Sequence, residues 1–307
     1  QTAGRVSVRV PAKINLQLAV GPLRPDGFHE IGTVFHALEL SDLLSAAPAG
    51  SLALSVHGAE STGLPADRRN LAWRAAELLA AHAGVPARAE LSIDKRIPVA
   101  AGLAGGSADA AAALLACDRL WGVGRPAGEL AALAGRLGSD VAFALLGGSA
   151  VGTGRGEQLR PIEGAASFWW VLAVAGGGLS TPAVYAELDR RRGAGLARAA
   201  TDPGAAVAAG GVLDAVASGD PALLASRLAN DLQPAAIALA PYLAGTLAAG
   251  RDCGALAGIV SGSGPTCAFL ARDAEHARTL ADALARTGSC RQALPVAGGR
   301  ARATVLS

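Results

Sequence analysis

Pro98-Val99-Ala100-Ala101-Gly102-Leu103-Ala104-Gly105-Gly106-Ser107-Ala108-Asp109, followed by four alanines, joins a flexible loop directly to the start of a helix. Glycine permits the positive-φ backbone that turns successive N–H groups inward, and without Cβ atoms those groups approach an anion closely. A helix starting there adds its unpaired N-terminal donors and its dipole, so the junction suits a phosphate. The same residues also fit an ordinary turn at Gly105-Gly106 with Ser107 as N-cap, and the loop alone leaves both readings open.

Outward from the loop, Leu91 to Lys95 reads as the strand that feeds it, and Ser107 to Leu120 as a helix whose small alanines pack closely on a sheet. Val6, Val8 and Val10 share one face of a strand from Arg5. After Pro11 the alternation resumes, with Ile14, Leu16 and Leu18 inward. Lys13, Asn15 and Gln17 fall on the opposite face, which is either solvated or the wall of a polar cleft. Gly21 to Gly27 turns the chain into a strand from Phe28 to Leu40, with His29 at its mouth. Helices are predicted over Asn70 to Ala83, Pro126 to Leu137, Ser139 or Asp140 to Leu145, Thr181 to Arg192, Ala205 to Ala217, Pro221 to Leu228, Ile237 to Ala249 and Ala274 to Arg286. Short strands are predicted near residues 147 to 161, then at Phe168 to Ala175, Ala255 to Val260, Cys267 to Ala271, Ser289 to Val296 and Arg302 to Leu306. Strands and helices mix without regular alternation, which makes the class α+β.

The length of 307 residues and an apolar fraction of 51% allow two domains with a core each. A formal net charge of +2 argues against nucleic acid or an anionic membrane as partner, and no apolar stretch reaches the ~20 residues of a membrane span. Cys117, Cys253, Cys267 and Cys290 lack the paired spacing of zinc or dithiol sites, so no protein metal site is expected. Together with the lack of a charged-then-apolar leader before Arg5, this gives a cytoplasmic reading. Of 27 basic residues only Lys13 and Lys95 are lysines. A compact ammonium on a phosphate is not freely exchanged for a guanidinium, so both are candidates for chemistry. A Walker A loop is excluded because no lysine precedes Ser107, and the dinucleotide glycine spacing is absent.

Three segments in order, Pro11-Ala12-Lys13-Ile14-Asn15-Leu16, the Pro98 to Ala108 loop with Asp109, and Ser261-Gly262-Ser263-Gly264-Pro265-Thr266, resemble the three motifs of the GHMP kinases. Arg24-Pro25-Asp26-Gly27-Phe28-His29, Asn70-Leu71, Gly138-Ser139-Asp140-Val141, Ser180-Thr181-Pro182 and Asn230-Asp231-Leu232 resemble the branch that acts on 4-diphosphocytidyl-2-C-methyl-D-erythritol in non-mevalonate isoprenoid synthesis. The resemblance covers nearly the whole chain. It implies an N-terminal domain over 1–163 resembling ribosomal protein S5 and a ferredoxin-like C-terminal domain over 164–307, with ATP and Mg2+ between them. It also implies a small-molecule substrate and a monomer or homodimer.

By that resemblance the ATP phosphates and nucleoside meet Pro98, Val99, Ala100, Ala101, Gly102, Leu103, Ala104, Gly105, Gly106, Ser107 and Ala108, with Asn70, Leu71 and Lys95 on the adenine side. Lys13 and Asp140 are the implied catalytic pair, and Asn15, Phe28, His29, Thr181 and Tyr185 the implied substrate contacts. The chemistry agrees, since phosphoryl transfer needs positioning, charge shielding and the removal of one proton. Asp140 suits the proton; by position alone it is equally a helix cap. Lys13 would steady that carboxylate and counter charge on the acceptor oxygen. Phe28, where the family has tyrosine, retains a π face for the cytosine. His29 would meet a cytosine edge or else be a surface residue. Ala100, Ala101 and Ala104 stand where the family has glycine, and ordinary dihedrals are expected there. Asp109 is an anion beside the proposed phosphate site, with magnesium or an arginine as its expected partner. Another small-molecule GHMP kinase, or a non-catalytic nucleotide-binding protein on the same scaffold, are the alternatives.

Overall fold

The computed structural model describes residues 4–306. The chain opens with two long strands, β1 (Val6–Leu23) and β2 (His29–Ala47), paired antiparallel along almost their whole length. Pro11 does not divide β1 as the sequence predicts. Register shifts between Pro11 and Lys13 and between Asn15 and Gln17 absorb the irregularity, and the strand continues. The chain then forms β3 (Ala53–His57), α1 (Leu71–Ala83), β4 (Glu90–Asp94), α2 (Gly105–Leu120), α3 (Ala127–Leu137), α4 (Ser139–Leu146), β5 (Ser149–Thr153) and β6 (Gln158–Pro161). β4 pairs with the far half of β2, and β5 with its near half. The predicted ends of α1 hold for local reasons. Asn70 Oδ1 accepts from the N–H of Ala72, and Gly84 ends the helix at φ 69°.

The second half comprises β7 (Phe168–Val174), α5 (Thr181–Gly193), α6 (Pro203–Ala209), α7 (Val212–Ser218), α8 (Pro221–Ala225), β8 (Ala229–Asn230), α9 (Gln233–Leu239), α10 (Tyr242–Asp252), β9 (Ala257–Val260), β10 (Cys267–Ala271), α11 (Ala274–Thr287), β11 (Gln292–Gly298) and β12 (Thr304–Val305). Four of its strands run β11-β7-β10-β9, all antiparallel, while β8 and β12 pair with β1. Counted among these four the order is 4-1-3-2, the ferredoxin-like arrangement. The single helix predicted over 205–217 is broken at Gly210-Gly211, where Gly211 has φ 70°. The one predicted over 237–249 is divided at Ala240-Pro241, because proline brings no N–H to a continuing helix.

The two sheets meet where Gly298 of β11 pairs with Leu38 of β2. One buried cluster runs through this seam, joining Val34 and Leu38 to Phe168, Trp170 and Leu270. His36 lies in it, fully buried, with Nδ1 2.9 Å from Ser149 Oγ and its ring beside those of Phe168 and Trp170.

Burial lowers the His36 pKa from 6.5 to about 3, so the folded protein holds this ring neutral. The unfolded chain takes up that proton below pH 6.5, and the stability the neutral ring confers is present above pH 6.5 and lost as pH falls toward 3. Urea unfolding of the wild type and of His36→Gln should show the wild type losing ~1.4 kcal/mol per pH unit relative to the variant across that window. Parallel pH profiles would contradict this.

Candidate functional site

A cleft of about 540 Å³ lies between the halves, lined from one side by Lys13, Asn15, Asn70, the 98–107 loop and Asp140, and from the other by Thr181, Tyr185, Gly262 and Ser263. Lys13 and Asn15 are therefore buried in a polar wall and the solvated-face alternative does not hold, while Gln17 is buried outside the cleft lining, its Nε2 donating to the Ala206 carbonyl at 3.4 Å. Lys13 Nζ donates to Asn15 Oδ1 at 2.8 Å. Asn15 Nδ2 in turn donates to Thr33 Oγ1 at 2.8 Å, and Thr33 donates to the carbonyl of Gln17 at 2.7 Å. The chain of bonds fixes the amide and aims the ammonium at Asp140, whose Oδ2 is 3.5 Å away. Asp140 is the second residue of α4, where the helix dipole favours an anion. Its side chain accepts no capping bond, which leaves it turned to the cleft.

The loop is held from three directions. The N–H of Lys13 donates to the carbonyl of Leu103, Ser261 Oγ donates to that of Gly102, and the N–H of Thr266 to that of Ala101. Gly102, at φ 75°, lies so close to the 261–264 segment that a Cβ would stand 2.4 Å from the Ser261 carbonyl oxygen. The sequence expectation for the alanines fails at two of three positions: Ala100 has φ 52° and Ala104 φ 60°. Tertiary anchoring holds them in the left-handed region against their own preference. Ser107 is not the N-cap either. The helix begins at Gly105, capped by Ala104 with no side-chain bond, so the amides of its first turn stay free. A Cβ on Gly106 would meet nothing within 4 Å, which marks open space in front of those donors.

Beneath the loop lies a buried triad. Lys95 Nζ donates to Asp42 Oδ2 at 2.5 Å and to Asp109 Oδ2 at 2.7 Å, and Asp42 Oδ1 accepts the N–H groups of Arg96 and Ile97. Asp109 thus faces a lysine through Oδ2, and no arginine lies against it among the described residues. Lys95 lines the cleft, and its ammonium is committed to the two carboxylates. A Cβ on Gly105 would stand 2.8 Å from Lys95 Nζ, so glycine is required where the ammonium passes under the helix start. Burial pushes the Asp109 carboxyl up against the pull of Lys95, and the neighbouring Asp42 charge adds to the rise.

Of the remaining predicted residues, Asn70 and Leu71 line the cleft, while Leu103 and Ala108 point into the core and contribute backbone only. Thr181 Oγ1 is 2.8 Å from Ser263 Oγ. Burial and the Asp140 charge push the Tyr185 phenol up to about 12, with Arg192 opposing, so it remains a donor. His29 is buried beside the Tyr185 ring, with Nε2 2.9 Å from Asp189 Oδ1. Phe28 is 53% exposed and lies outside the cleft lining. Sequence reading missed Asp42, Thr33, Ser263, Asp189 and Arg155. Only Ser263 sat in a quoted motif; the others are joined to the site by tertiary contact alone.

Residues 70–148 match the model of the GHMP kinases N terminal domain and residues 212–290 that of the GHMP kinases C terminal domain. The chain is 56% identical over 303 residues to a 4-diphosphocytidyl-2-C-methyl-D-erythritol kinase of Salinispora arenicola, covering 97% of this chain and 95% of that protein. It is 54% identical over 301 residues to the kinase of that name from Streptomyces avermitilis, covering 98% and 99%. A crystal structure of 4-(cytidine 5'-diphospho)-2C-methyl-D-erythritol kinase matches with a TM-score of 0.75 at 35% identity, over 96% of this chain and all of that one.

Two stability measurements check this geometry. Lys95→Met leaves two buried carboxylates without their cation and should cost ~3–5 kcal/mol in urea unfolding; a loss under 1 kcal/mol would mean the triad is not formed. Ala104→Gly relieves the left-handed alanine and should raise stability by about 1 kcal/mol, read as a higher Tm.

Proposed function

The chain belongs to the GHMP kinase family, in its 4-diphosphocytidyl-2-C-methyl-D-erythritol kinase branch, and on that premise we propose how its cleft carries out the transfer. The reaction is the ATP-dependent phosphorylation of the 2-hydroxyl of 4-diphosphocytidyl-2-C-methyl-D-erythritol, giving the 2-phosphate and ADP. The observation that carries the residue assignment is the Lys13–Asp140 pair, 3.5 Å apart, in the same cleft as the free amides of α2.

The amides of Gly105, Gly106 and Ser107 bind the triphosphate oxygens and hold the γ-phosphoryl group in line with the acceptor, which is the larger part of catalysis for a loose transition state. Asp140 accepts the proton of the 2-hydroxyl as the new bond to phosphorus forms. Lys13, held by Asn15, keeps the carboxylate oriented and offsets charge at the acceptor oxygen. The cleft offers hard oxygen donors, of which the Ser107 hydroxyl stands at the α2 start, and this suits Mg2+, a cation that takes most of its ligands from phosphate and water. When bound it neutralises phosphate charge. His29 and Tyr185, whose rings lie tilted with centroids 5.0 Å apart, and the exposed Phe28 ring form the side we assign to the cytidine end. We assign the lobes to 1–163 and 164–307. No helix among the described residues is long and apolar enough to cross a membrane, and a cytoplasmic location is part of the same proposal.

An ADP-release assay tests the assignment. Asp140→Asn should lower kcat at least ~100-fold while the ATP Kd stays within twofold. Unchanged kcat would point to a nucleotide-binding protein without chemistry. Equal turnover of the cytidylylated substrate and of homoserine or mevalonate would point to a different member of the superfamily.

A further inference from the structure

Four cationic side chains line the cleft: Lys13, Arg69, Lys95 and Arg155. Three are neutralised by the protein itself, Lys13 by Asp140, Arg69 by both oxygens of Asp67, and Lys95 by Asp42 and Asp109. The Arg155 guanidinium alone has no carboxylate within 4.0 Å among the described residues. Its guanidinium lies instead over the Phe28 ring, 4.9 Å from the centroid. That contact holds the group in place without cancelling its charge, because an aromatic quadrupole attracts a cation but carries no net charge.

The backbone puts this cation at the acceptor side of the cleft. Arg155 is at the tip of the β5–β6 turn, and the turn is tied to β2 by the N–H of Ile31, which donates to the Gly154 carbonyl at 2.7 Å. Its neighbour Gly156 has φ 102° and packs so tightly that a Cβ would stand 3.2 Å from the Cβ of Ser139, the residue before Asp140. The N–H of Arg155 donates to Glu157 Oε2, which fixes the tip further while that carboxylate stays clear of the guanidinium. The loop that we assign to the nucleotide binds phosphate through its amides, so Arg155 is not needed there.

We propose that Arg155 binds the diphosphate of the cytidylylated substrate, with Phe28 as the residue that positions it. This rests on the substrate reading above and adds to it the group that recognises the pyrophosphate bridge between cytidine and the methylerythritol unit. A planar guanidinium offers paired donors that match two phosphate oxygens, and a cation without a protein counter-ion loses nothing when an anion arrives. The exposed face of Phe28 remains free for the base.

Calorimetric titration with cytidine and with CDP, on the wild type and on Arg155→Gln and Arg155→Lys, tests the assignment. The wild type should bind CDP more tightly than cytidine. Arg155→Gln should remove about 10- to 100-fold of that preference while the cytidine Kd, the ATP KM and the Tm stay within experimental scatter. In turnover the loss should fall on the KM of the cytidylylated substrate and not on kcat. Arg155→Lys should recover part of it, since charge returns without the paired donors. The proposal is overturned if Arg155→Gln keeps the wild-type CDP-to-cytidine ratio, or if the ATP KM rises instead. A wild type that turns over the substrate but binds CDP no better than cytidine also overturns it, leaving the substrate reading intact. Failure to bind either ligand or to turn over the substrate would sink that reading and this one together.

Discussion

An ammonium group placed inside a strand needs an anion and polar neighbours, and Lys13 obtains both from elements distant in the chain. Asp140 comes from the start of α4, Asn15 from the next inward position of β1, and Thr33 from the partner strand. Every other feature of the cleft is arranged around this point. The pairing of β1 with β2 brings Thr33 to Asn15, and the N–H of Lys13 carries the carbonyl of Leu103, so the strand that bears the ammonium also holds the phosphate loop. One strand thereby sets the separation between the Asp140 carboxylate and the loop.

The loop accepts strain in return for a fixed shape. Two alanines in left-handed conformations and a helix without a side-chain cap are each unfavourable in isolation. They persist because Ser261 and Thr266 clasp the loop from the second half of the chain while the Asp42–Lys95–Asp109 triad supports it from below. The uncapped amides cost nothing once an anion fills them, which is why a helix start with no cap is compatible with phosphate binding. The triad braces the buried side of the loop, and the Lys13 pair is the one to which we assign the chemistry.

Charge bookkeeping across the cleft separates the same two classes. Lys95, matched by two buried carboxylates, braces the structure, and Arg155, left over an aromatic face, is the cation we assign to a ligand. Phe28 and Arg155 lie on different hairpins, and no spacing in the sequence relates them.

The sequence alone determined what depends on neighbours in the chain. The capped helix at 71–83, the helix after the glycine loop, the short helix that starts with Asp140 and the α+β class all follow from residues within a few positions of one another. The first two motifs pointed to Lys13 and the loop, and the Gly138-Ser139-Asp140-Val141 segment to Asp140, because each is a local pattern. Tertiary structure decided the rest. It turned Ala100 and Ala104 to positive φ, displaced the cap from Ser107, gave Asp109 a lysine, buried the polar face of β1, and joined Arg155 to Phe28. Each of these is a compromise between a local preference and a contact made by residues far away in sequence. Its outcome is fixed only when the whole sum of burial, pairing and strain is minimised at once.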